Sequence, residues 1–275
     1  MLFNSIEFVT LFAVTGILYY FPGLKRYQVF TLIVSSFVFY AHHNPALSFL
    51  LLFSILSNAA SSFAIITNSL SKGKWVAAFA VTVNLFVLCW FKYAGLITLT
   101  ILGKGLEDNS VGTFLLSIPL PLGISFFTFQ GISLVMDCFR TQTKKDTNES
   151  ANTIHKTAEL GFLKYTIDTA LYISFFPQLV AGPIVKARDF FHQITHKSLE
   201  NIQWEKVFRF LVIGYFLKMV VADNLKDLTY YLNYPLFINI DCLTLLTLLF
   251  GYSVQIFADF AGYSSIAIGL SAFFG

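Results

Sequence analysis

The amino-acid sequence predicts an all-α polytopic membrane protein, a multi-helix bundle that contains broken and re-entrant segments. Three observations carry this prediction. Of the 275 residues, 56% are hydrophobic and only 12% are charged, about half the ~25% charged fraction of ordinary soluble proteins. Apolar runs recur along the whole chain. Prolines and glycines interrupt some of these runs, and non-helical backbone at membrane depth is tolerated only when it is buried in protein or lines a watery cavity.

The predicted segments that span or enter the bilayer are 8–21, 29–41, 47–66, 75–93, a short 94–102, 113–136, 160–176, 208–222, 243–257 and 262–274. Pro22-Gly23 stops the first, and the second is short for the ~20 residues that a span requires. No basic segment or cleavage site marks a signal peptide, so the first run is expected to remain as an anchor.

Polar stretches separate the later runs. Pro119 and Pro121 are expected to break the 113–136 run near its start, because interior prolines remove backbone donors. Residues 140–156 are the most polar stretch and predict a surface loop, and 186–205 predicts an interfacial stretch. No repeat period is evident, so residues 1–275 are interpreted as a single membrane domain.

Basic residues predict the orientation of the chain. If the spans alternate from an outside N-terminus, one side collects Lys25, Arg26, Lys72, Lys74, Arg140, Lys144, Lys145, Lys156, Lys186, Arg188 and Lys197. The opposite loops hold His42, His43, Glu107, Asp108, Asp223, Asp227 and Asp241. By the positive-inside rule the first side is cytoplasmic, and the localisation expected for the chain is the cell's inner (cytoplasmic) membrane.

The stretch FFPQLVAGPIVKARDF, residues 175–190, has basic stretches on both sides, so both of its flanks are predicted to be cytoplasmic. A hairpin that enters the membrane and returns satisfies this condition. Its tip at Pro177, Gly182 and Pro183 then requires protein or a watery cavity around it. The stretch is therefore interpreted as re-entrant, and Gln178 offers one of its few polar contacts.

Residue patterns exclude several kinds of site. The chain contains no G-x-x-x-x-G-K, G-x-G-x-x-G or G-x-S-x-G sequence, and its net charge of +3 does not predict a nucleic-acid partner. His192 and His196 have the i, i+4 spacing of metal ligands, but no third ligand is near and an interfacial helix explains them better. His42, His43 and His155 are interpreted as solvated, and no metal site is predicted.

Ionisable residues within or beside apolar runs are more informative, because burying them in lipid is costly. Lys164 and Asp168 are one helical turn apart and predict a structural ion pair. Lys218 and Asp223 flank a helix end, where snorkelling explains both. Asp259 precedes a Gly-Tyr-Ser-Ser break, and the sequence leaves open whether it lines a cavity or caps the next helix.

Five blocks, in this order and spacing, resemble the membrane-bound O-acyltransferase family, with its alginate O-acetylation branch the nearest. They are MLFNSIEFVTLF, PLPLGISFFTFQGISLVMDCFR, FFPQLVAGPIVKARDF, GYFLKMVVADNL and GYSVQIFADFAGYSSIAIGLSAFFG. The D-alanyl transfer proteins of teichoic acids are a less close match. Together the blocks extend over the whole chain.

The resemblance implies a helical fold around a central tunnel and the transfer of an acyl group, here acetyl, to an extracytoplasmic polysaccharide such as alginate. No bound cofactor is implied. The acyl donor would be acetyl-CoA or an acyl carrier. The expected partners are the polysaccharide acceptor, the lipid bilayer, an extracytoplasmic acetyltransferase partner and the polymer synthase complex. A histidine would act as general base on the acceptor hydroxyl.

The chain departs from the family pattern in one respect. The family's catalytic histidine lies in a W-H-I-S-L-type segment, and none of the five histidines here lies in such a motif, so no catalytic residue is carried over. The chain is therefore interpreted as a partial fold, the N-terminal portion of such an enzyme, truncated before that segment and inactive alone. A transporter or channel, or a non-catalytic scaffold, is the alternative. The candidate tunnel- or substrate-lining residues are Gln130, Gln178, Gly182, Pro183, Gln255, Asp259, Tyr263 and Ser264.

Overall fold

A computed structural model describes residues 3–42, 44–101, 121–144, 149–179 and 182–275. In these ranges the chain is helical and forms no strand, so the predicted all-α polytopic membrane fold class is confirmed. The α-helices are α1 Ile6–Tyr20, α2 Gln28–Ala41, α3 Leu47–Thr67, α4 Leu70–Ile101, α5 Ile124–Lys144, α6 Glu149–Glu159, α7 Phe162–Ser174, α8 Phe176–Leu179, α9 Ala187–Phe191, α10 Trp204–Tyr215, α11 Asp223–Thr229 and α12 Cys242–Phe273.

Three of these helices are long and apolar enough to cross a membrane, in the part of the chain that is described: Leu47–Thr67, Ser71–Tyr93 and Cys242–Phe273. A fourth span results if α1 and the segment from Pro22 to Ala41, which meet at a bend of 100°, count as one. The predicted runs at 47–66 and 75–93 are thus confirmed as helices. The side chains on their outer faces are large and apolar, as lipid contact requires.

The chain divides into two compact units. The first unit comprises 17–180 and 184–196, and α3 is its central helix, packed against α2, α4, α5 and α7. Its core contains fully buried aliphatic and aromatic side chains, among them Leu51, Ile55, Phe127, Leu134 and Tyr172. The second unit comprises 2–16, 181–183 and 197–275, and in it α12 packs along α10 and α11. The single-domain expectation stays a prediction.

In the first unit, the predicted 160–176 segment is broken at Phe175, where the FFPQ sequence begins. Helix α7 ends at Ser174, Phe175 leaves the helical conformation, and the single turn α8 follows. The Phe176 N–H donates to Ser36 Oγ on α2 at 3.1 Å, and the Tyr172 hydroxyl donates to the Val185 carbonyl at 2.9 Å. The backbone groups freed by the break therefore find partners inside protein, which is the condition for irregular backbone at membrane depth.

The structure corrects several predicted elements. Residues 243–257 and 262–274 are not two spans, because α12 runs unbroken from Cys242 to Phe273. Residues 94–101 continue α4 and do not form a separate segment. Most of the predicted 140–156 loop is helical, in α5 and α6. His192 and His196 do not share a helical face, since α9 ends at Phe191 and turns follow it.

Two further predictions concern prolines and histidines. Helix α5 begins at Ile124, shortly after Pro121, while Pro119 lies outside the described residues. His155 is not solvated, because it lies half-buried on α6. Burial lowers the pKa of His155, and the nearby Glu159 carboxylate opposes this shift. His43 is outside the described residues.

Candidate functional site

Three predicted site residues, Gln255, Asp259 and Tyr263, lie on one face of α12. Their four-residue spacing places each about one helical turn from the next. We call them the α12 polar stripe. Gln255 accepts a hydrogen bond from the Thr229 hydroxyl at the end of α11. The stripe therefore faces α10, α11 and the segment between them, and it does not face lipid alone.

A lysine occupies the centre of this site. Lys218 Nζ lies 2.6 Å from Asp259 Oδ1 and 2.9 Å from Asp223 Oδ1. It also lies 5.0 Å from the centroid of the Tyr263 ring, within cation–π range. The Lys218 side chain is only 16% exposed, whereas both carboxylates are partly open to solvent. One ammonium thus joins two carboxylates and a phenol ring in an otherwise apolar stretch of chain.

The backbone around Lys218 is unusual. Residues Phe216–Ala222 form a π-helix that continues α10. The Asp223 N–H donates to the Lys218 carbonyl five residues earlier, and the Asp223 carboxylate binds the Lys218 ammonium. Such turns are rare and occur frequently at functional sites. Here the wider turn sets Lys218 and Asp223 on the side that faces α12.

Two glycines bring the helices close enough for this contact. A Cβ atom added at Gly262 would lie 2.9 Å from the Lys218 backbone nitrogen and 3.0 Å from the Gly214 carbonyl oxygen. A Cβ atom at Gly214 would meet the Ile266 nitrogen at 2.7 Å. Gly262 was predicted to break the helix. Its role in the structure is to allow close packing, because without a side chain the two backbones can approach.

Asp259 does not cap a helix. It lies within α12, where its carboxylate binds Lys218, so the capping interpretation is wrong. The snorkelling interpretation of Lys218 stays a prediction, and the structure adds that its ammonium binds Asp223 and Asp259. Sequence reasoning missed Lys218 and Thr229 as site residues. The signal for Lys218 was a single cation inside the run GYFLKMVV, where burial demands a partner.

The other predicted lining residues lie elsewhere. Ser264 follows the stripe and is half-buried. Gln130 and Gln178 belong to the first unit and are only 2% and 4% exposed. The Gln130 Oε1 atom is buried and accepts no hydrogen bond from the described protein. Gly182 is buried and Pro183 exposed, and both cluster with the second unit. Their role in lining a tunnel remains a prediction.

The first unit holds a separate buried polar network that the sequence did not reveal. The Tyr165 hydroxyl donates to Ser62 Oγ at 2.8 Å and lies 3.6 Å from Cys138 Sγ. Ser62 donates to the Asn58 carbonyl at 2.6 Å, and the side-chain amides of Asn58 and Asn84 bond to each other. These contacts join α3, α4, α5 and α7, so their role is helix association.

Histidines do not assemble into a site. His42 follows α2, His155 lies on α6, and His192 and His196 both follow α9. Among the described residues, no group of three or more His, Cys, Asp or Glu side chains is placed to hold a metal ion. Lys164 and Asp168 form the predicted ion pair on α7.

Comparison with known proteins gives the following relationships. No family model matches the chain. The whole chain aligns with 50% of the probable alginate O-acetylase AlgI of Pseudomonas aeruginosa, at 29% identity over 295 residues. It also aligns over its whole length with 54% of the peptidoglycan O-acetyltransferase of Helicobacter pylori, at 29% identity over 293 residues.

A third relative aligns with only part of this chain. The teichoic acid D-alanyltransferase of Bacillus subtilis is 28% identical over 162 residues, which is 56% of this chain and 35% of that protein. The chain spans about half the length of the first two relatives. Over its whole length, the chain is similar to members of the membrane-bound O-acyltransferase family, and the resemblance read from its sequence blocks is confirmed.

Proposed function

We propose that this chain is part of a membrane O-acetyltransferase, which passes an acetyl group from a cytoplasmic donor to hydroxyl groups of an extracytoplasmic polysaccharide such as alginate. The observation that carries the proposal is the whole-chain similarity to proteins named for O-acetylation of alginate and of peptidoglycan. The proposed localisation is the inner membrane. The proposed partners are an extracytoplasmic acetyltransferase and the polymer synthase complex.

The reaction breaks the bond between the acetyl carbonyl carbon and the donor's leaving atom, a thioester sulfur in acetyl-CoA or an acyl carrier. It forms a carbon–oxygen bond to the acceptor hydroxyl, whose proton passes to a general base, and the departing thiolate takes up a proton and leaves as a thiol. We assign that base to none of the described residues. Lys218 is not suited to the role, because two carboxylates hold it in its charged form.

The cluster of Lys218, Asp223, Asp259 and Tyr263 supports a positioning role in this proposal. It fixes polar groups of α12 against the π-helical turn, within a segment that is otherwise apolar. A fixed polar group in a low-dielectric environment orients substrate atoms without reorganising during the reaction. Gln130, whose buried carbonyl oxygen accepts no hydrogen bond from the described residues, offers a second polar contact in the first unit.

We further propose that residues 1–275 do not complete the reaction by themselves, because none of the histidines present lies in the family's catalytic motif. The test uses a bacterium whose own alginate acetylase gene has been deleted. One strain receives residues 1–275, and a second receives the gene product read past codon 275 wherever the frame continues. O-acetyl esters on secreted alginate and on peptidoglycan are then measured by NMR.

We expect esters on alginate only in the second strain. Esters in the first strain would show that residues 1–275 are active alone. Peptidoglycan esters without alginate esters would move the acceptor assignment to peptidoglycan. A membrane-inserted longer product that acetylates neither polymer would refute the proposed function.

A further inference from the structure

A conspicuous exposed surface of the second unit lies between α11 and α12. Residues 230–240, which we call the aromatic turn segment, form two short 3-10 turns, Tyr230–Leu232 and Leu236–Asn239. No Asp, Glu, Lys or Arg occurs from Leu228 to Ile240. The exposed large side chains of the segment are Tyr230, Tyr231, Tyr234, Leu236, Phe237 and Ile238. So many exposed apolar and aromatic side chains in one short segment indicate a surface that contacts something other than water.

The segment's place in the chain indicates what covers it. Asp241 follows the segment and caps α12, and exposed apolar side chains begin at Leu243 and continue through Leu246 and Phe250. In the most apolar stretch of α12, only 6% of the residues are buried inside the protein. We therefore expect lipid to contact α12 almost from its first turn. This places the aromatic turn segment at the level where we expect the bilayer to begin.

The composition of the segment suits the headgroup layer. Tyrosine rings have an apolar body and a polar tip, and tyrosine is enriched at membrane–water interfaces for that reason. Backbone hydrogen bonds also form within the turns. The Asn233 N–H donates to the Tyr230 carbonyl at 3.1 Å, and the Leu236 N–H donates to the Asn233 carbonyl at 2.8 Å. Exposed Asp227 and Asp241 flank the segment and oppose deeper insertion.

We propose that the aromatic turn segment is a membrane-interface anchor that lies flat in the lipid headgroup layer at the end of the bilayer where α12 begins. Its tyrosines rest among the headgroups, and its aliphatic and phenylalanine side chains face the acyl chains. This surface fixes the depth of α12 and of the polar stripe that α12 carries. The proposal concerns lipid contact, and it stands or fails independently of the acetyltransferase proposal.

Fluorescence quenching in phosphatidylcholine vesicles tests the proposal on the 275-residue chain. Cys89 and Cys242, the exposed cysteines in the described chain, are replaced by serine, and buried Cys138 is kept. Tyr234→Cys, 79% exposed in the wild type, then carries an NBD label. The same label at Asp227→Cys is the control for a position in water. Phe250→Cys, eight residues into α12 and so about 12 Å along the helix from its start, gives the control for the membrane interior.

We expect a nitroxide on the lipid headgroup to quench the label at 234 about twofold more than a nitroxide near the acyl-chain end, with the reverse order at 250. Aqueous dithionite should reduce the label at 227 several times faster than that at 234. Equal reduction rates at 227 and 234, without lipid quenching at 234, would overturn the anchor and place the segment in water or against a protein. Stronger quenching of the label at 234 by the acyl-chain nitroxide than by the headgroup nitroxide, which is the order expected at 250, would also overturn the anchor. If the Tyr234→Cys protein does not insert into the vesicles, the NBD label is placed at Phe237→Cys instead.

Discussion

At the scale of single residues, Lys218 is predicted to stabilise the second unit. Lys218→Met keeps the aliphatic stem but removes the ammonium that lies between Asp223 and Asp259. The two carboxylates then repel each other without a counter-ion. Removing one partner of a fully buried pair costs about 3–5 kcal/mol. Since both carboxylates are partly exposed to solvent, we expect about 1–3 kcal/mol here, measured as a lower unfolding temperature in detergent.

Lys226→Met is the matched control, because Lys226 is exposed on α11 and forms no ion pair in the described structure. It should change the unfolding temperature little. Adding Asp223→Asn and Asp259→Asn to Lys218→Met removes the repulsion and should recover part of the loss. If Lys218→Met and Lys226→Met unfold at the same temperature, the lysine is not a structural centre of the second unit.

Asp241 gives a pH-dependent prediction at the start of α12. Its carboxylate accepts the Thr244 N–H at 3.0 Å, and this hydrogen bond holds the pKa of Asp241 below its ordinary value of 3.8. A carboxyl group whose pKa is lowered by folding contributes stability above the ordinary pKa and loses it as the pH falls through the folded value. Asp241→Ala should therefore weaken amide protection at Thr244 by a few fold at pH 7, and this difference should vanish in strong acid.

Hydrogen exchange followed by mass spectrometry measures the effect on the first turn of α12. Asp241→Asn should retain most of the amide protection at Thr244, since asparagine also caps helices. This protection should not change as the pH falls, because the asparagine side chain does not titrate. Asp227→Ala is the control, because Asp227 is exposed and not at a cap of α12. Unchanged protection of the Thr244 amide in Asp241→Ala would show that lipid contacts, and not the cap, stabilise this turn.

Some of the site residues could be predicted from the sequence, and others could not. The four-residue spacing of Gln255, Asp259 and Tyr263 is visible in the sequence, and each was a predicted site residue. Lys218, the partner of Asp259 and Tyr263, lies 41 positions from Asp259. A contact across that distance depends on how α12 packs against the π-helical turn, which no local pattern encodes. The Lys164–Asp168 pair, one helical turn apart, was predicted because its geometry is local.

At the scale of elements, α12 shows why glycine misled the prediction. Glycine weakens a helix in water, where it exposes backbone, and the Gly262–Ser265 sequence therefore resembled a break. In apolar surroundings the backbone has no alternative partner, and glycine is tolerated within membrane helices. The unbroken α12 has 32 residues. The long spans at 47–66 and 75–93 were predicted well, because a uniformly apolar run of about 20 residues matches the length of a membrane-spanning helix.

Two glycines of α12 provide a matched pair of substitutions. Gly262→Ala places a methyl group 2.9 Å from a backbone nitrogen and 3.0 Å from a carbonyl oxygen, neither of which can rotate away. Gly251→Ala has its nearest neighbour, Thr229 Cγ2, at 4.0 Å. We expect Gly262→Ala to separate α12 from the π-helical turn and to lower stability by about 1–3 kcal/mol. Gly251→Ala should be neutral or slightly stabilising, since alanine favours helix.

Thermal unfolding of both variants in detergent, followed by circular dichroism, distinguishes these outcomes. The Gly262→Ala protein should also expose Lys218 to amine-reactive reagents, since the contact with Asp259 loosens. If Gly262→Ala unfolds at the wild-type temperature, the close approach of the two helices is not needed for stability. If Gly251→Ala is the more damaging change, the packing around α12 differs from that described.

At the scale of the whole molecule, charge predicts which loops face the cytoplasm. The basic stretches 140–156 and 186–197 should lie inside, and the acidic 223–241 outside. Because α12 is one helix that is long and apolar enough to span a membrane, we expect a single crossing between 241 and 275, and residue 275 should then be cytoplasmic. Two predicted spans there would have returned the end of the chain to the outside. The continuous helix therefore changes the expected side of residue 275.

Single-cysteine variants, with Cys89 and Cys242 replaced by serine, test this topology in intact cells. The exposed positions Gln193 and Asp227 and the terminal Gly275 each receive a cysteine in turn. A membrane-impermeant maleimide should label Asp227→Cys in intact cells, but Gln193→Cys and Gly275→Cys only after permeabilisation. The physical reason is that translocating a loop rich in lysine and arginine is unfavourable, whereas the acidic loop crosses readily. Labelling of Gln193→Cys from outside would invert the orientation, and labelling of Gly275→Cys from outside would require a second crossing within 242–273.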